Sequence, residues 1–197
     1  EGYFYNPNVV KYPHDPKKAR ALLKEAGFED RNGDGVVEDA KGNPVKFVLM
    51  TNSGNKVREQ LAGMIAADLR KVGLDVQPAL LEFNLLTTKL DTCVGWEAIL
   101  LGLTGGPEPH FGQNVWQSSG QLHMWYPRQK KPATDWEARI DQIFDKGVQE
   151  LDPEKRKKLY DEWQLIVSDK LPFIYTVLRA SIVAVRNRLG NLAPATY

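Results

Sequence analysis

Apolar positions along the chain alternate between helical and strand spacing. The run DPKKARALLKEAGF places Ala19, Leu22, Leu23 and Ala26 on one helical face. Asp15 suits the N-cap, Pro16 the first helical position and Gly27 the left-handed stop, so a short helix is predicted between them. Pro44 then leads into VKFVLMT, where Val45, Phe47 and Leu49 alternate with Lys46, Val48 and Met50, a strand buried on at least one side. NKVREQLAGMIAADLRKVG aligns Val57, Leu61, Met64, Ile65, Leu69 and Val72 along a second helix ended by Gly73. Asp68 falls on the same face and needs a hydrogen-bond partner or a route to water.

The alternation continues through LDVQPALLE, a strand with Leu74, Val76 and Ala79 inward. Glu82 to Asp91 reads as a short helix with Phe83, Leu86 and Leu90 on one side. WEAILLGL, Trp96 to Leu103, is apolar enough for a central strand. This order of strands and helices predicts an α/β sheet with right-handed crossovers.

From Thr104 to Thr134 the period vanishes. A stretch this long inside a compact domain is either functional or disordered, and Phe111, Trp116, Trp125 and Tyr126 argue against disorder. Two helices follow. Trp136, Ile140, Ile143, Phe144 and Val148 line the first; Asp152 and Pro153 start the second, lined by Leu159, Tyr160, Trp163, Ile166 and Val167. LPFIYTVL and ASIVAVRN read as closing strands, and Tyr3 to Pro13 as an extended lead-in.

Composition narrows the function classes. A net charge of +1 over 197 residues lacks the cationic surplus that nucleic-acid binding needs. The basic run Arg128 to Lys131 reads as a solvated loop. Cys93 stands alone, so no disulfide closes within the sequence. No apolar run approaches the roughly 20 residues of a membrane span. The opening EGYFYNPNVV lacks the pattern of a signal peptide and reads as the middle of a protein.

Enzymatic readings find little support. Cys93 has no nucleophile context, Ser118 and Ser119 lack a G-x-S-x-G setting, and no phosphate-binding glycine motif is present. Glu137 to Asp141 and Glu150 to Glu154 read as solvated helix charges. His110 and His123, without paired cysteines or short spacing, are a weak metal signal, and His14 before the first helix reads as solvated. A hydrolase using the long loop as a lid would lack a recognisable nucleophile.

Two segments carry candidate chemistry. DRNGDGVVEDAKG, counted as an EF-hand from Asp30, puts Asn32, Asp34 and Gly35 at the third, fifth and sixth places. The twelfth place is Lys41 instead of Glu, and a strand follows instead of a helix, so the segment reads mainly as a connector of turn-forming residues. A cation there would use Asp30, Asn32, Asp34 and Asp39, and a calcium-binding interaction module centred on Asp30–Asp39 is the alternative to the main reading. No other cofactor is expected. LGLTGGPEPHFG follows the third predicted strand, where α/β sheets present ligands. Trp116, His123, Trp125 and Tyr126 offer stiff contact area with polar tips, suited to a cleft for peptides or sugars.

DPKKARALLKEAGF, the acidic loop, VREQLAGMIAADLRKVGLDV and LDPEKRKKLYDEWQLIVSDKLPFIYTVL, in this order, resemble the carboxy-terminal lobe of the extracellular solute-binding proteins of family 5. The resemblance runs from about Tyr12 to Asn191. It implies one lobe of a type II periplasmic-binding-protein fold, α/β with a mixed sheet flanked by helices. Residues 1–13 would be a hinge-proximal lead-in, 14–185 the lobe and 186–197 the return to a first lobe, with Tyr12 and Arg186 on the same side. It further implies a non-enzymatic, periplasmic or extracellular monomer that captures a peptide or other small polar solute. Such a protein delivers its solute to the membrane subunits of an ABC importer. Peptide-binding relatives carry an acidic residue soon after the third strand; here Gly105 and Gly106 occupy that ground and Glu108 is the nearest carboxylate. The residues expected to touch ligand are Thr104, Gly105, Gly106, Glu108, His110, Trp116, His123 and Trp125.

Overall fold

The computed structural model describes residues 2–178 and Gly190, and the chain divides into two compact units. Tyr12–Thr104 form one; the residues up to Lys11 and those from Gly105 onward form the other.

In the first unit, helix α1 spans Pro16–Glu25. Asp15 Oδ1 accepts from the amides of Lys17 and Lys18, meeting two donors that a helix start leaves unpaired. The helix closes as its glycine predicts: Gly27 has φ +89°, and the Phe28 amide reaches back to the Leu23 carbonyl. Strand β1 (Lys46–Asn52), helix α2 (Lys56–Arg70), strand β2 (Asp75–Leu81), helix α3 (Phe83–Thr92) and strand β3 (Ala98–Ile99) follow. The strands run parallel in the order β2-β1-β3, pairing Phe47 with Val76 and Leu49 with Pro78. Pro78 donates no hydrogen bond, which an outer strand tolerates.

Leu49, Ala62, Val76 and Leu100 form the buried core, with Leu61, Ile65 and Leu69 packed against it. Three expectations change. Trp96–Leu103 provides only a two-residue outer strand, and β1 is central. Side chains replace part of the ladder there: the Glu97 carboxylate accepts the Val48 amide at 2.8 Å, and the Thr51 hydroxyl donates to the Leu100 carbonyl at 2.8 Å. On α2 the face turned to the sheet is centred on Ala62, leaving Val57 and Met64 exposed and Asp68 in water, paired with Lys71. On α3, Leu86 and Leu90 are buried while Phe83 is exposed.

The second unit is built on helices α5 (Asp135–Gln149) and α6 (Pro153–Lys170). They are preceded by a 3-10 turn (Pro109–Gly112) and a single-turn helix α4 (Gln113–Trp116). Ile140, Ile143, Phe144 and Tyr160 are wholly buried, with Trp136, Leu159, Trp163 and Ile166 packed around them as the stripes predict. Val148 is exposed. Residues 3–10 do more than lead in, because they are strapped to α6. Asn6 donates to the Asp161 carbonyl, Gln164 Nε2 to the Phe4 carbonyl, and the Val10 amide to Ser168 Oγ.

LPFIYTVL forms no strand over Leu171–Leu178. Leu171 ends α6 at φ +49°, and Phe173 turns its ring onto Trp116 and Trp125 instead. The expected strand ASIVAVRN and the expected placement of Arg186 lie outside the described residues. Among the described residues, no helix is long and apolar enough to cross a membrane.

Gly147 marks a close α5–α6 approach: a Cβ there would lie 2.7 Å from the Tyr160 hydroxyl oxygen and 2.8 Å from its Cζ. Helix propensity favours alanine by about 1 kcal/mol, whereas overpacking a rigid core costs about 1–3 kcal/mol. The buried ring has little room to yield, so Gly147→Ala should lower the urea midpoint. An unchanged or raised midpoint would show that the two helices separate without cost.

Candidate functional site

The segment after Gly105 gains its order from one face of α5. The sequence Thr134-Asp135-Trp136-Glu137 makes a capping box, with Glu137 accepting the Thr134 amide and Thr134 Oγ1 accepting the Glu137 amide. The Glu137 carboxylate, 3% exposed, reaches much further than its own cap. Its Oε2 also accepts the Ala133 amide at 2.9 Å, the Thr134 hydroxyl at 2.9 Å and Gln129 Nε2 at 3.4 Å. Its Oε1 accepts Trp125 Nε1 at 3.0 Å and lies 3.5 Å from His123 Nε2. Glu137 is therefore a buried organiser of the loop, which corrects its reading as a solvated charge. Gln129 correspondingly points inward, while its neighbours in the basic run are exposed.

The same face continues downward at helical spacing. Asp141 accepts the Ser118 amide at 2.7 Å, and Asp145 accepts Gln117 Nε2 at 2.8 Å. Within the loop, Gly120 is pressed against backbone: a Cβ would lie 2.1 Å from the Asn114 carbonyl oxygen. The aperiodic stretch from Gln117 to Thr134 is thus tied down by three carboxylates of one helix. The sequence signal for this was the capping-box motif.

The predicted ligand residues fall into four environments. Thr104, Gly105 and Gly106 are exposed. Trp116 and Trp125 are half-buried in an aromatic wall, with ring centroids 5.9 Å apart. Trp163 lies 5.1 Å from Trp116, and Phe173 5.2 Å from Trp125. His123 is wholly buried beneath Trp125, with its Nδ1 3.2 Å from the Val115 carbonyl. Tyr126 and Phe111 present exposed rings.

Glu108 and His110 form a separate cluster. Glu108 caps the 3-10 turn through the His110 amide, and both its oxygens take the Arg156 guanidinium, at 2.6 and 2.8 Å. Arg156 is held in turn by the Gly147 carbonyl and the faces of Phe4 and Tyr160. Its guanidinium holds the Glu108 carboxyl below the usual glutamate range. His110 Nδ1 meets the Tyr160 hydroxyl at 3.4 Å. Ser118 is buried, and Cys93 is an exposed helix end at φ +54°.

In the acidic loop, Asp30 accepts the amides of Gly33 and Gly35, and Asn32 accepts that of Asp34. Asp39 belongs to a different turn, accepting the amides of Lys41 and Asn43 and the Asn43 side chain. The carboxylates that converge, with oxygens within 4.8 Å of one another, are those of Asp30, Asp34 and Glu38.

Burial pushes the Glu137 carboxyl up, but the donors of Trp125, Thr134, Ala133 and Gln129 together hold it below the usual value of 4.5. Because the folded value lies below the unfolded one, this stabilisation is full above about pH 4.5 and is lost as pH falls through the folded value. Glu137→Gln puts a donor against the amides of Ala133 and Thr134 and should cost about 2–3 kcal/mol at pH 7. The difference from wild type should shrink on acidification below pH 4. Equal stability of the two proteins at pH 7 would remove Glu137 from this role.

A family model described as bacterial extracellular solute-binding proteins, family 5 Middle, matches residues 1–124. A probable ABC transporter-binding protein of Deinococcus radiodurans is 33% identical over 176 residues, covering 83% of this chain and 30% of that protein. The oligopeptide-binding protein AppA of Bacillus subtilis, solved with a nonapeptide, superposes with a TM-score of 0.70 at 25% identity, covering 87% of this chain and 33% of that one. A Thermotoga maritima oligopeptide-binding protein solved with mannohexaose gives 0.73 at 25% identity, covering 87% and 32%. The chain therefore spans about a third of the length of the relatives it matches. With its parallel sheet, flanking helices and this match over more than half its length, the chain belongs to the family 5 extracellular solute-binding proteins and has the α/β fold of a type II periplasmic-binding-protein lobe.

Proposed function

We propose that this chain is the carboxy-terminal lobe, residues 14–185, of the substrate-binding component of an ABC importer. On this reading residues 1–13 and 186–197 connect it to a first lobe. Membership of the family carries the reading. The protein binds its solute outside the cytoplasmic membrane, leaves it chemically unchanged, and presents it as a monomer to the importer's membrane subunits. Contacts made by both lobes favour the closed form, which is the state the importer selects.

The solute class follows from the residues left open. Relatives of this fold have been solved with a nonapeptide and with mannohexaose, so the scaffold itself does not choose. Gly105 and Gly106 carry no charge, and Glu108 is committed to Arg156. This supports a peptide bound without an amino-terminal ion pair at this segment, or a neutral polar solute such as an oligosaccharide. Thr104, Gly105 and Gly106 supply exposed backbone, and Trp116 and Trp125 an aromatic wall. His123 and Glu108 support the loop, with His110 beside them.

Small-angle scattering of the full-length protein tests the reading. The radius of gyration should fall on addition of one class among oligopeptides, oligosaccharides and metal chelates. An unchanged profile with every class would count against two-lobe capture.

A further inference from the structure

Glu38 stands out among the carboxylates. It is 3% exposed; Oε2 accepts the Arg31 amide at 2.8 Å, while Oε1 is buried without a hydrogen-bond partner. A buried, unpaired carboxylate oxygen is costly, and a group of this kind calls for an ion or a water. Glu38 also meets Asp30 and Asp34, with oxygens of all three within 4.8 Å. Three negative charges so close repel one another, and a cation relieves this more fully than a water does. Among the described residues, no lysine or arginine side chain forms an ion pair with any of the three. The Arg31 guanidinium is turned instead to the carbonyls of Gly27, Glu38 and Asp39.

We propose that Asp30, Asp34 and Glu38 hold a calcium ion, joined by Asn32. Counted from Asp30, these residues are the first, third, fifth and ninth positions of a calcium loop, and Gly35 at the sixth has the left-handed φ, +85°, that the turn needs. Val36 is the seventh, the position that contributes a carbonyl. The set is all oxygen, the donor type of a hard cation. It differs from the sequence expectation in one ligand: Glu38 replaces Asp39, which belongs to the next turn and lies outside the converging set. Lys41 at the twelfth position removes the bidentate glutamate, so binding is weak, with a Kd on the order of 0.1–1 mM. The ion would fasten the link between α1 and β1. It is independent of which solute the protein carries.

Urea unfolding of the full-length protein, stripped with chelator, provides the test, comparing 10 mM calcium chloride with magnesium chloride at equal ionic strength. Calcium should raise the folding equilibrium constant by about 10- to 100-fold, the factor 1 + [L]/Kd at this concentration, and magnesium by less. Glu38→Gln and Asp34→Asn should each abolish the calcium response, while Asp39→Asn should keep it even if its basal stability is lower. Asp34 is exposed, so its variant decides the matter should Glu38→Gln fail to fold. A wild-type response below twofold, an equal response to magnesium, or a full response in Asp34→Asn would overturn the proposal.

Discussion

The loop-bearing half of this structure depends on one buried carboxylate. Glu137 gives up water at a cost that only several donors offset, and those donors come from Trp125, Gln129, Ala133 and Thr134. A helix start normally satisfies its own amides. Here the same glutamate also gathers side chains from up to twelve residues upstream, so the helix and the loop share one polar centre. Removing water from that centre strengthens each bond and makes each missing donor costly. In this conformation the loop brings four residues' donors to that charge, and departing from it would leave the carboxylate buried and short of partners.

Around that centre the aromatic residues form a wall rather than a set of free side chains. Trp116, Trp125, Trp163 and Phe173 meet edge-on or tilted, the arrangement their quadrupoles favour. Rings locked in this way lose little further entropy when a ligand arrives, which suits the binding role proposed for them. Glu108 and Arg156 do the same work at the loop's entrance, tying the 3-10 turn to α6. A family whose solved relatives hold ligands as different as a nonapeptide and mannohexaose fits a design of this type.

The sheet unit relies on smaller devices. Its core is modest, centred on Ala62 against Leu49, Val76 and Leu100. The wholly buried alanine lets α2 approach the strands closely. Glu97 and Thr51 supply hydrogen bonds that a longer third strand would have made. The acidic connector before β1 folds on itself through Asp30, Asn32 and Asp39, each taking amides of the next few residues.

Local signals were legible in the sequence wherever local chemistry decides the outcome. Asp15, Pro16 and Gly27 bounded α1 because caps are made within one turn of chain. The helical stripes of α5 and α6 found Ile140, Phe144 and Tyr160 because burial follows the helical period. The family itself showed through the order of such segments. What the sequence could not assign were partners far apart along the chain. Arg156 and Glu108 are 48 residues apart, and nothing in their spacing predicts a bidentate pair. Only the tertiary structure showed that Glu137 is buried, that Asp141 holds Ser118, and that Glu38 rather than Asp39 turns toward Asp30 and Asp34. A charged side chain has the same pattern in sequence whether it faces water or a ring of donors, and only the packing of distant segments removes the water.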